Sequence, residues 1–136
     1  MKNNRIFLML MTIIAWLGFH AVTLRAADQT IKVGKKGEVS LSSETKVGDL
    51  TLPPGRYQLG HRDEGSNHFL HFEALTPGNP YYRKTPTGKG HPGEVPCRVE
   101  SVGRKISQTA IYLTQENGTA RITKVEIAGE NVAHLF

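Results

Sequence analysis

His61 and His68 flank the segment Asp63-Glu64-Gly65-Ser66 and form the most chemistry-bearing pattern in the chain. Two imidazoles facing each other across a β-hairpin bring their Cβ atoms to about 4.5–5.5 Å, close enough to share one ion. Histidine is the commonest protein ligand of zinc and copper. Asp63 or Glu64 in the turn, or His91 if a distant loop folds over, is a candidate third ligand. His71 lies three residues beyond His68 and, in a strand, points to the other face. The same pair also reads as a polar closure of the open end of an apolar face. Zinc or copper is the only cofactor the residues suggest.

A second constellation is Tyr81-Tyr82-Arg83-Lys84 with Lys89 and His91, all inside 76–96. That stretch holds five of the seven prolines and four glycines, with no acid between Thr76 and Gly93. It reads as a long loop, and loops of this length in small domains are usually functional or mobile. Ring stacking and cationic contacts there suit a glycan, an anionic polymer of the cell envelope or a protein partner. The competing reading is a loop packed over a sheet edge with its tyrosines half-buried.

Catalysis finds no comparable support. Ser66, His68 and Asp63 have the residue types of a hydrolase triad, but polar turns collect such residues and nothing marks an oxyanion hole. Gly88-Lys89-Gly90 lacks the Ser or Thr after the lysine and the earlier glycine of a phosphate loop. Cys97 is the single cysteine, so no intramolecular disulfide forms, and it reads as a small buried hydrophobe. The chain is therefore read as a non-catalytic binding, adaptor or structural module. Metal binding through His61 and His68 is the alternative.

Residues 1–26 look like a secretory signal peptide: Lys2 and Arg5 precede an apolar run over 6–19 that is short for a membrane span. Cleavage after Ala26 leaves one domain over 27–136, periplasmic or extracellular, with no remaining membrane span. Losing Lys2, Arg5 and Arg25 leaves 14 basic against 12 acidic residues, a net charge of +2 rather than +5. That balance speaks against nucleic acid as a partner.

The elements that must position these side chains are strands. Runs rich in Val, Ile, Thr, Tyr and Phe at 30–33, 38–41, 49–52, 56–61, 67–75, 95–102, 106–115, 119–128 and 132–136 alternate with Gly, Pro and Asn punctuation. The spacing predicts an all-β fold, a single small antiparallel β-sandwich or partly open β-barrel. Setting His61 opposite His68 pairs Tyr57 with Phe72, Leu59 with Leu70, Arg56 with Glu73 and Gln58 with His71, and leaves Gly60 making room for Phe69. Asn117-Gly118 is a type I′ hairpin signal with Leu113 facing Ile122. A change of apolar parity near Thr123 and Lys124 predicts a β-bulge that returns Ile111 opposite Val125. Pro53-Pro54-Gly55 is expected to turn with Gly55 left-handed, and His134-Leu135-Phe136 to end an edge strand.

Val47-Gly48-Asp49-Leu50-Thr51-Leu52-Pro53-Pro54-Gly55-Arg56-Tyr57, together with Ile122-Thr123-Lys124-Val125-Glu126-Ile127-Ala128-Gly129-Glu130-Asn131 and terminal Phe136, resembles a family of small exported bacterial β-proteins. The Leu-Pro-x-Gly-x-Tyr portion is also similar to a strand turn in prealbumin-like, carboxypeptidase-regulatory-like modules. The resemblance implies export and a β fold, and no activity or site residue.

Overall fold

A computed structural model describes residues 29–33, 37–82 and 91–136. The signal-peptide expectation for 1–26, and Arg83, Lys84 and Lys89 of the loop, lie outside the described residues. Among the described residues ten strands follow one another: β1 (Gln29–Val33), β2 (Glu38–Leu41), β3 (Thr45–Val47), β4 (Leu50–Leu52), β5 (Gly55–Glu64), β6 (Asn67–Ala74), β7 (Glu94–Ser101), β8 (Thr109–Glu116), β9 (Thr119–Glu126) and β10 (Val132–Leu135). The fold is all-β, as the spacing predicts. Its strands form one path, β1-β8-β9-β10-β7-β6-β5-β2, whose ends are not hydrogen bonded to each other, so the sheet is not closed. Between these strands pairing is antiparallel except where β3 runs parallel to β9.

Side chains of one face fill a single core. Tyr57, Phe72, Leu52, Leu70, Ile111, Ile122, Val39, Val47 and Val125 are fully buried there. Tyr57 keeps its hydroxyl satisfied at the core edge by donating to the Pro53 carbonyl (2.6 Å) and accepting from Asn79 Nδ2 (2.9 Å).

The β8–β9 hairpin follows the expectation. Asn117 and Gly118 both have positive φ (51° and 78°), as a type I′ turn requires. Leu113 pairs with Ile122, Tyr112 with Lys124 and Ile111 with Val125, leaving Thr123 as the extra residue of a bulge. The Thr123 carbonyl then accepts from the Phe136 amide at 3.1 Å, so the bulge ties down the C-terminus.

Four expectations are corrected. The β5–β6 hairpin closes on the two-residue turn Gly65-Ser66, with Glu64 opposite Asn67, so Tyr57 pairs with Ala74, Leu59 with Phe72, Gly60 with His71 and His61 with Leu70. Gly65 has φ 62°, and a turn with glycine first matches the strand twist better than a four-residue loop. Because the register moves by two residues and side chains alternate with period two, every residue keeps its face, and apolar matching cannot tell the two registers apart. Second, β10 is interior, between β7 and β9, not an edge strand. Third, Gly55 has φ 154°, a positive value that still favours glycine but lies far from the compact left-handed turn conformation near 60°. Fourth, β3 is a strand that the polar segment around it conceals.

β7 divides its pairing. Residues from Glu94 to Cys97 pair with β6, and those from Arg98 to Ser101 pair with β10. Cys97 therefore sits where the strand passes from one half of the sheet to the other.

Candidate metal centre

His61 follows Tyr57 and Leu59 on the inward face of β5, at the end of the core nearest the β5–β6 turn. His68 lies on the same face of β6, diagonal to His61 rather than directly opposite, since its cross-strand partner is Asp63. The two rings still meet, with His61 Nε2 3.1 Å from His68 Nδ1. On its other side His68 is opposite Cys97 of β7.

Across the core, His134 of β10 is opposite Val125 and is completely buried (0% exposed). A polar ring in that position needs partners on both nitrogens. It has them: Nε2 lies 2.7 Å from Glu130 Oε2, and Nδ1 lies 3.6 Å from Cys97 Sγ. Glu130 is placed by the tight turn between β9 and β10, in which its amide donates to the Ile127 carbonyl (3.1 Å). The chain before β8 clamps that turn from both sides, because Ile106 N donates to Glu130 O and Gly129 N donates to Ile106 O, each at 2.8 Å. The second Glu130 oxygen lies 3.5 Å from His61 Nδ1, and the His61 and His134 rings meet edge-on at 4.4 Å between centroids.

Five side chains thus form one series, His68, His61, Glu130, His134 and Cys97, in which His61 and His134 each use both ring nitrogens. Among the described residues, His61, Glu130 and His134 form the one group of three ligating side chains whose donor atoms all lie within 4.8 Å of one another. Tetrahedral zinc with bonds of about 2.0–2.2 Å holds neighbouring donors roughly 3.3–3.5 Å apart, which the His61–Glu130 separation already matches. Burial, reinforced by the nearby His134 ring, lowers the His61 pKa and so favours the neutral, ligating form. Burial, with Glu130 adding to it, pushes the Cys97 thiol up to about 11, the opposite of an activated nucleophile.

The other expected site residues go elsewhere. Asp63 is exposed, and Glu64 pairs with Arg62 at 3.1 Å, so neither turn acid joins the imidazoles. His91 is buried and lies against His71, ring centroids 6.0 Å apart, with its Nδ1 accepting from the Gly93 amide (3.0 Å). Tyr81 and Tyr82 are half-buried against the core. The Tyr81 hydroxyl donates to Thr51 O (3.0 Å), its carbonyl accepts from Ala74 N (3.1 Å), and Tyr82 bridges to Ala74. His134, Glu130 and Cys97 are the members that sequence reasoning missed. The available signal was a lone histidine inside the apolar run Val132-Ala133-His134-Leu135-Phe136.

His71, on the opposite face from the cluster, yields a prediction of its own. Burial, then His91 and Arg62, lower its pKa, while Glu94 opposes them and the more distant His61 adds slightly. The unfolded chain takes up a proton below about pH 6.5 and the folded chain does not, so stability falls as pH drops from there towards the folded pKa. The loss is at most about 1.4 kcal/mol per pH unit for this group. Urea unfolding in chelator between pH 7.5 and 5 is expected to show that decline, and His71→Gln to make it shallower; an unchanged slope would contradict it.

Against known proteins, no family model, no curated protein and no solved structure matches the chain.

Proposed function

We propose that this chain is an exported metal-binding protein of the cell envelope, holding a divalent first-row ion such as zinc or copper through His61, His134 and Glu130. The observation that carries the reading is the convergence of three donors, from β5, β10 and the β9–β10 turn, within 4.8 Å at one end of the core. Two imidazoles and a carboxylate form a donor set common to zinc and to other first-row ions. A completely buried His134 is costly in an apolar core, and an ion offers it a role beyond packing. The 76–96 loop supports the adaptor reading less well, since Tyr81 and Tyr82 are engaged in packing rather than presented together to solvent.

Equilibrium dialysis of the chain over 27–136 against zinc, with metal analysis of the retentate, tests this reading. One ion per chain is expected for the wild type, and at least a hundredfold weaker uptake for His61→Ala. Equal uptake by the two proteins, or none by either, would remove the proposal.

A further inference from the structure

We infer that the ion is held by only three protein donors, His61 Nδ1, His134 Nε2 and Glu130, that His68 and Cys97 stay off it as hydrogen-bond partners of the outer ring nitrogens, and that an exchangeable water or small anion completes its coordination. This rests on the metal reading above and deepens it.

The two nitrogens of an imidazole point away from each other. Glu130 faces Nε2 of His134 while Cys97 Sγ faces Nδ1, and Glu130 faces Nδ1 of His61 while His68 faces Nε2. An ion seated among His61, Glu130 and His134 is therefore on the far side of both rings from the thiol and from His68. The thiol then lies well beyond the ~2.3 Å of a metal–sulfur bond. Histidines that bind metals almost always engage the other ring nitrogen in a hydrogen bond, which fixes the tautomer and the ring angle. His68 Nδ1 is placed to accept from His61 Nε2–H, which leaves His61 Nδ1 as the ligating atom.

Cys97 has a subtler role. Without an ion, the carboxylate beside His134 Nε2 is an acceptor, so Nε2 carries the hydrogen and Nδ1 accepts from the thiol. With an ion on Nε2, that hydrogen resides on Nδ1 and must be accepted. A thiol both donates and accepts, so Cys97 satisfies His134 in either state, and the ring keeps the same number of protons. Methyl or apolar groups there would leave a buried N–H without a partner in the loaded state.

Three protein donors leave a fourth position, the arrangement of zinc sites that exchange a ligand. The surface groove of about 530 Å³ lined by His68, Cys97, Asn67, Phe69, Pro96 and Arg98 lies on the outer side of the two rings, so the exchanging ligand reaches the ion past His61 and Glu130, whose side chains are both partly exposed.

Cobalt(II) added to the metal-free chain over 27–136 reports on the thiol and on the open position in one absorption spectrum. The expected spectrum has visible cobalt bands and no thiolate-to-cobalt charge transfer, and azide is expected to shift it saturably. Cys97→Ser should leave the bands in place with affinity within about threefold of wild type. Cys97→Ala should bind cobalt ~10–100-fold more weakly, as loss of an outer hydrogen bond does. Melting each variant in chelator establishes that it folds. A charge-transfer band that disappears in Cys97→Ser would make Cys97 a ligand and overturn the inference while keeping the metal reading. Indifference to azide would overturn the open position, and absence of any cobalt uptake would remove both readings.

Discussion

His134→Leu is expected to leave the metal-free protein as stable as the wild type, or slightly more stable, and to weaken zinc binding at least a hundredfold. Leucine has nearly the volume of histidine and fits an entirely buried position beside Val125 without asking for hydrogen bonds. Removing one member of a buried ion pair costs about 3–5 kcal/mol when the other charge is left buried. The partner left behind, Glu130, is 26% exposed and can turn to water. A core residue whose loss costs function and not stability is kept for function. The contrary pattern, a drop of several kcal/mol with zinc binding retained, would make His134 a packing residue and Glu130 its hydrogen-bond partner only. Denaturant unfolding in chelator, paired with a zinc titration, separates the two.

Gly93→Ala should destabilise the fold by about 3 kcal/mol or more, which is a large share of the ~5–15 kcal/mol of a typical domain. A Cβ at Gly93 would lie 2.2 Å from the Phe72 carbonyl oxygen, and backbone cannot step aside as a flexible side chain can. The same glycine accepts the Phe72 amide through its own carbonyl (3.0 Å) and donates to His91 Nδ1 (3.0 Å). Relief of the clash must therefore loosen the start of the β6–β7 pairing, four residues before Cys97. At roughly 4–8 °C per kcal/mol for a small domain, the melting temperature should fall by more than 10 °C. A fall of only a degree or two would mean that β7 can slide away from β6 without cost.

Local chemistry carried much of this architecture in readable form. Asn117-Gly118 names its turn type, and the parity change between Ile122 and Val125 names the bulge that the pairing shows at Thr123. What local chemistry leaves open is anything of period two. Tyr57 finds equally good apolar partners in Phe72 and Ala74, so only the Gly65-Ser66 turn decides the β5–β6 register. The candidate site was half legible for a related reason. His61 and His68 are neighbours in a hairpin, a contact that sequence spacing can express. Glu130 and His134 reach them only because β10 runs inside the sheet between β7 and β9, and no local pattern distinguishes that from an edge strand. Cys97 meets His134 through the same long-range pairing, 37 residues away in sequence.

The most direct test of the central claim is the melting temperature of the chain over 27–136, first in chelator and then with zinc at a hundred times its dissociation constant, alongside Glu130→Gln. Binding to the folded state alone stabilises by about 2.7 kcal/mol at that ratio, a shift of roughly 10–20 °C for a domain of this size. The account predicts that shift in the wild type and a much smaller one in Glu130→Gln, whose amide is a poorer ligand. An equal shift in both proteins, or none in the wild type, would contradict it.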